Sequence, residues 1–480
     1  MANEINPPDL LDAGEFVMTP ANAPSGVRRR LLLSFGSTAL GPLVTLILQV
    51  VNVPIFLRFW GPELYGEWLI LSAIPTYLAM SDMGFGAVAA NDMTMRAARG
   101  DFEGALVTFQ STWRLVTLVS TAMADLVIPV LFLLPLGSWL KLQQLSLASE
   151  RLVLMILAID SLACLQSSLP MSAFKANGKN HVANVCFNCM RIVEGTCVLV
   201  SIVLGRGPVF VATVLLVVRA LSNLGLMLLA LRMVPWLRFG LKYATTEKVK
   251  ELFRPALAFM AFPAGVSLNL QGTVLAIGIV LGPGAVAVFS PLRTISRTAA
   301  QLTEIFKMGA WPEVSAAYGT RNLQLARKLH RFVCQASVWL SGCFAVVLAI
   351  VGPWVWRVWT HGRIFIDLPT FHFLLVGVVV NAIWNASSIV PIAANQHSRI
   401  ALEQLAAVAL SLGLVIVLMH PMGLPGAGLG LLLGECLMIV IVLPLSIRLL
   451  NDNLRDFSKS LLDPRAIWSQ VARLRSGTGR

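Results

Sequence analysis

Arg293, Arg297, Gln301, Glu304 and Met308 recur at a spacing that places them on one face of a single helix. The segment that carries them, residues 284–310, is otherwise largely apolar. If it crosses a bilayer, Arg293 lies about nine residues, or roughly 14 Å, below one end. A charge at that depth costs at least about 2.5–3.5 kcal/mol, so it faces a polar cavity or a partner. The planar arginine fork matches phosphate oxygens. The chemistry to expect is therefore the clamping of an anion by Arg293 and Arg297, with Gln301 beside them. Glu304 has a plainer use, pairing with Arg297 or Lys307.

Arg191, Glu194 and Arg219 form a second group near mid-depth of their own apolar runs. Arg191 and Glu194 are three residues apart and could satisfy each other or serve a substrate. Arg219 has no acidic residue three or four positions away on its own run. A bound anion, or Asp125 or Asp160 from elsewhere in the bundle, would balance it. Arg191 and Arg219 thus join Arg293, Arg297 and Gln301 as candidate anion-binding residues. Asp82, Asp125, Asp160, Glu194 and Glu304 are the candidates for coupling transport to an ion, because a buried carboxylate gains from taking a proton. Glu403 and Glu435 rank below them, nearer helix ends or small-residue packing. Asn269, Gln271, Asn381 and Asn385 could add hydrogen bonds to a substrate and read more simply as bonds between helices.

Positioning such residues is the task of an unusually apolar chain. Of its 480 residues, 56% are hydrophobic and 13% charged, and mean hydropathy is +0.76. Soluble domains carry roughly 25% charged residues. Twelve apolar runs fall at 31–57, 66–90, 106–135, 150–174, 181–204, 209–233, 255–281, 284–310, 331–353, 370–394, 401–420 and 426–450. They are continuous rather than alternating, which selects helices over a barrel. The expected fold is an all-α integral membrane protein of about twelve transmembrane helices, arranged as two six-helix lobes around a central cavity. Its parts are a cytoplasmic tail (1–30), a first lobe (31–233), a basic linker (234–254), a second lobe (255–450) and a basic cytoplasmic tail (451–480). Faint echoes support a duplication: Trp60-Gly61-Pro62 resembles Leu281-Gly282-Pro283, and Arg96-Ala-Ala-Arg99 is loosely matched near Arg321. An even helix number per lobe makes the repeats parallel.

Basic residues concentrate in the loops on the side of the N-terminus, including the 232–254 cluster, which places both termini in the cytoplasm. The N-terminus is polar and proline-containing and does not read as a signal peptide. In the last segment Ile467, Trp468, Val471 and Leu474 share a helical face flanked by arginines, giving either an interfacial amphipathic helix or an unstructured basic tail. The net charge of +13 suits membrane headgroups and not nucleic acid.

No motif for a P-loop, a serine nucleophile or a zinc helix occurs, and the six histidines are scattered. No catalytic residue, metal or cofactor is expected. Cys186 and Cys189 form a lone C-x-x-C within an apolar run and read as packing. Without a P-loop, transport would draw on an ion gradient, the membrane potential or the substrate gradient.

The stretch Phe59-Trp-Gly-Pro-Glu-Leu-Tyr-Gly66-Glu-Trp68, followed by Ser81-Asp82-Met-Gly84-Phe-Gly86, resembles the polysaccharide exporter family. This is the O-antigen and lipid-linked oligosaccharide flippase branch of the multidrug/oligosaccharidyl-lipid/polysaccharide exporter superfamily. The resemblance implies a V-shaped transporter, not an enzyme, in a bacterial inner membrane. It implies movement of an undecaprenyl-diphosphate-linked glycan from the cytoplasmic to the periplasmic leaflet. Its partners would be the lipid-linked glycan, membrane lipids and a glycan polymerase with its chain-length machinery, and the chain would act as a monomer. A cation-coupled drug antiporter and a membrane glycan polymerase or ligase are the competing readings. The first would prefer an anionic cavity, and the second a larger outer loop than the one near 354–369.

Overall fold

The computed structural model describes residues 25–78, 84–394 and 396–462, and no β-strand occurs among them. Helix α1 (Ser25–Phe59) begins inside the segment expected to be a tail. Gly61, at φ +75°, lets the chain reverse, and Pro62 then opens α2 (Gly61–Thr76). The second apolar run is not one helix. It stops just after Pro75 and resumes as α3 (Phe85–Ala98) behind Gly84, also at φ +75°. Next come α4 (Phe102–Leu133), the single turn α5 (Leu136–Trp139), α6 (Leu147–Ala176), α7 (Asn180–Val203) and α8 (Pro208–Met233).

The expected linker 234–254 is shorter than read, because Thr245 caps a helix, α9 (Thr246–Ser267). Nor does it hang free. The Gln110 side chain on α4 donates to the Arg238 carbonyl (2.9 Å) and accepts from the Tyr243 N–H (2.8 Å). Lys248 in the first turn of α9 then pairs with Asp92 on α3 at 3.1 Å. A five-residue π turn, Leu268–Gly272, interrupts the seventh run before α10 (Thr273–Leu281). The remaining helices are α11 (Pro283–Gly319), α12 (Leu323–Trp359), α13 (Leu368–Ser387), α14 (Ile389–Ala393), α15 (His397–Met422), α16 (Leu424–Leu449) and α17 (Leu454–Leu462).

Eight helical stretches among the described residues are long and apolar enough to cross a membrane. They are α6, α7, α8, Pro263–Leu281, α12, Leu368–Ala393, Arg399–Met422 and α16. The other expected spans fall on α1, the α2–α3 pair, α4 and α11, all helical. The loop between α12 and α13 is 360–367 rather than 354–369, since α12 continues to Trp359 and the Trp356 indole N–H draws the loop back through the Ile364 carbonyl (3.0 Å).

Packing groups α3, α4 and α8 around α6 and sets α1 against α7, while α11, α12, α13, α16 and α15 pack in that order. Gly426, Gly430 and Gly434 repeat every four residues along α16. A Cβ at any of them would strike α15, so the pair packs backbone to backbone. Segment 31–233 meets segment 255–450 most closely where α1 ends. There Gly66 of α2 lies against the Pro283 carbonyl and Gly284 of α11 against Glu63. The Lys141 ammonium bonds the Val280 carbonyl (2.7 Å), the Trp359 indole the Val50 carbonyl (2.7 Å) and Arg363 the Leu57 carbonyl (3.1 Å). Gly66→Ala puts a methyl into a backbone oxygen and is expected to cost about 1–3 kcal/mol of this closed end. Double electron–electron distances between labels on α2 and α11 would show it as a shift towards separation.

On the opposite face α17 docks on α12. Phe457 stacks on the His330 ring (centroids 5.3 Å apart) and Asp452 pairs with Arg331. The amphipathic face expected at Ile467–Leu474 lies outside the described residues, as do residues 1–24.

Candidate functional site

The residues of the α11 stripe have separate fates. Arg293 is buried at 8% exposure, and its guanidinium turns onto the π turn, donating to the Asn269 carbonyl (2.9 Å), the Leu270 carbonyl (3.3 Å) and the Asn269 side-chain oxygen. A π turn shifts the helix ladder by one residue and leaves carbonyls in need of donors, which Arg293 supplies. Arg297, one turn on and half-buried, has no hydrogen bond or ion pair among the described residues. Glu435 on α16 acts on it electrostatically but forms no salt bridge with it. Glu435 itself accepts from the Asn381 amide (2.9 Å) and the Trp384 indole (2.7 Å) on α13. Those two donors hold the carboxylate on α13 and leave the Arg297 guanidinium unengaged. Gln301 is half-buried on the same helix. Glu304 pairs with Lys307 (3.0 Å) and not with Arg297, and Asn385 donates to Glu304 (2.8 Å).

In the first segment, Arg219 on α8 is held between two carboxylates. Its Nε reaches Asp160 on α6 at 2.8 Å and an NH2 group reaches Glu194 on α7 at 3.2 Å. Of the uses left open for Glu194, pairing with Arg191 on its own helix is not the one seen; it links to Arg219 on another helix. Arg191 instead lies over the Phe187 ring, 5.7 Å from its centroid. Asp125 is exposed on α4, apart from the Asp160–Arg219–Glu194 cluster. Asp82 lies outside the described residues.

Among the five cationic and amide candidates, Arg219 and Arg293 are therefore committed to protein partners. Arg297 and Arg191 keep their guanidinium donors unused among the described residues. Glu435, ranked below the other carboxylates, is tied to Asn381 and Trp384, and neither Trp384 nor Glu67 was singled out from the sequence. Glu67, 1% exposed on α2, accepts the Gln143 and Gln144 backbone N–H groups and so pins the loop before α6. A charge inside an apolar run was the available signal for it, masked by its place in the aromatic motif.

A family model for polysaccharide biosynthesis proteins matches residues 31–312, more than half of the chain. A sequence search of curated proteins finds no match. Among solved structures, an inward-facing multidrug resistance MATE family transporter of the MOP superfamily superposes with a TM-score of 0.68 at 14% identity, over 86% of this chain and 96% of that one. The lipid II flippase MurJ in an inward closed conformation gives 0.66 at 14% identity, over 94% and 93%. An outward-facing MATE family transporter gives 0.58 at 14% identity, over 88% and 97%. At these identities the likeness establishes the fold, an all-helical multi-pass membrane fold shared with MOP superfamily proteins.

Proposed function

The chain belongs to the polysaccharide biosynthesis protein family, and on that premise we propose that it is a flippase, not an enzyme, for an undecaprenyl-diphosphate-linked oligosaccharide. The observation that carries this reading is Arg297. A half-buried guanidinium midway along a membrane helix, with no bonded partner among the described residues, is costly unless a ligand uses it. A diphosphate has the charge and the oxygen geometry to do so. Arg293 is bound to the π turn next to it and adds positive potential without offering its full fork.

The chain works by alternating access between two lobes, 31–233 and 255–450, hinged at 234–245, in a bacterial inner membrane with both termini cytoplasmic. Contacts at the end where α1 meets α2 close the periplasmic side. The glycan head enters from the cytoplasm while the lipid tail stays in the bilayer. Ion gradient or membrane potential drives the cycle, with Glu435 added to the candidate coupling carboxylates. The product passes to a glycan polymerase, and the flippase acts as a monomer. A drug antiporter for cations is disfavoured by an unpaired arginine in the same place.

Deletion of the gene is expected to leave lipid-linked repeat units accumulated in the cytoplasmic leaflet, as read by periplasmic accessibility to a membrane-impermeant glycosidase or lectin. Normal exposure of these units in the deletion strain would refute the function.

A further inference from the structure

An open pocket of about 300 Å³ lies between α1, α2, α7 and α8, separate from the α11 stripe. Its wall includes Asn52, Phe56, Tyr65, Trp68, Arg191 and Glu194. Three features define what it can hold. Asn52 Oδ1 and Glu194 Oε1 are shielded from solvent and have no hydrogen-bond partner among the described residues. Glu194 is 9% exposed, and only its other oxygen is used, by Arg219. The third feature is aromatic: Phe56 packs tilted on Tyr65 at 5.1 Å and stacked on Trp68 at 6.4 Å, centroid to centroid.

A ligand here must bring donors for two waiting acceptors, acceptors for the Arg191 guanidinium, and an apolar face for the rings. A diphosphate fails, since it offers only acceptors and would meet the Glu194 charge. A bare cation would sit beside the Arg191 guanidinium. An apolar drug leaves both buried oxygens unpaired. A sugar satisfies all three conditions, because each hydroxyl both donates and accepts and the ring's C–H face is apolar. The volume sits at the low end for ligand sites, enough for one ring and not for a chain. We propose that this cavity is a carbohydrate subsite holding one sugar ring of the transported glycan, a reading that rests on the flippase function above. It also assigns a task to Tyr65 and Trp68, the aromatic residues of the Gly-Pro-x-x-Tyr-Gly-x-Trp stretch.

The test uses the full chain in lipid nanodiscs and two probes, a short polyprenyl diphosphate and the same lipid bearing one N-acetylhexosamine. Wild type is expected to bind the glycosylated probe more tightly than the bare one. Asn52→Leu, which removes an acceptor, and Leu215→Trp, which fills the cavity, are each expected to reduce that preference about tenfold. Affinity for the bare diphosphate should stay as in wild type, whereas Arg297→Ala should weaken both probes alike. A preference unchanged in both variants overturns the subsite while leaving the flippase reading intact. Failure of wild type to bind either probe removes the flippase reading and the subsite with it. A sodium-dependent tryptophan response that Asn52→Leu abolishes, without sugar preference, would assign the cavity to a cation instead.

Discussion

Arg297→Ala is expected to lower transport of the lipid-linked glycan by about 10- to 100-fold, the equivalent of one or two charge-assisted hydrogen bonds to a phosphate. The protein should express and melt as wild type, or slightly higher, because the change removes a half-buried charge that no described residue pairs. Arg297→Lys should recover only part of the rate, since a point charge replaces a planar fork. The comparison with Arg293 makes the prediction specific. Arg293 is bonded to Asn269 and Leu270, so its loss leaves the π turn's carbonyls without donors and should appear first as reduced stability. Flipping assays in proteoliposomes, alongside thermal unfolding in detergent, separate the two. Full transport by Arg297→Ala would remove this residue from substrate binding.

Arg219→Ala should have the opposite signature. Its guanidinium lies 2.8 Å from Asp160 and 3.2 Å from Glu194, with side chains 16%, 12% and 11% exposed. Deleting it leaves two carboxylates crowded in a low-dielectric interior, which costs about 3–5 kcal/mol. A large fall in melting temperature and in membrane yield is expected. Adding Asp160→Asn and Glu194→Gln neutralises both stranded groups and should restore much of the stability. A single Arg219→Ala variant that melts as wild type yet loses transport would reassign Arg219 to the substrate.

These two arginines show where sequence reading works and where it stops. Both were legible as costly charges in apolar runs, and both were grouped as anion-binding for that reason. Composition cannot distinguish them further, because the difference lies in partners on other helices. Arg219 meets Asp160 from 59 positions away, whereas Arg297 meets no bonded partner among the described residues. The local rule that residues three apart on a helix pair with each other pointed Glu194 to Arg191. The bundle rotated Glu194 towards α8, where a better-placed guanidinium waited. For Glu304, where Arg297 and Lys307 were both open, the structure pairs it with Lys307 on the same helix, and Asn385 from α13 donates to it as well.

The sequence alone was enough for the all-helical membrane fold, the charged face of α11 and the aromatic Gly-Pro stretch at the start of α2. Those follow from one-dimensional quantities: the free energy of placing each run in lipid, and the period of a helix. The break between α2 and α3, the π turn in the seventh run, the strapping of 234–245 onto α4, and the sorting of the arginines into Arg219 and Arg293 with bonded partners and Arg297 and Arg191 without one among the described residues belong to the tertiary structure. Each depends on which helix faces come together. A membrane interior makes that decisive, because it supplies no water to satisfy a group that lacks a protein partner.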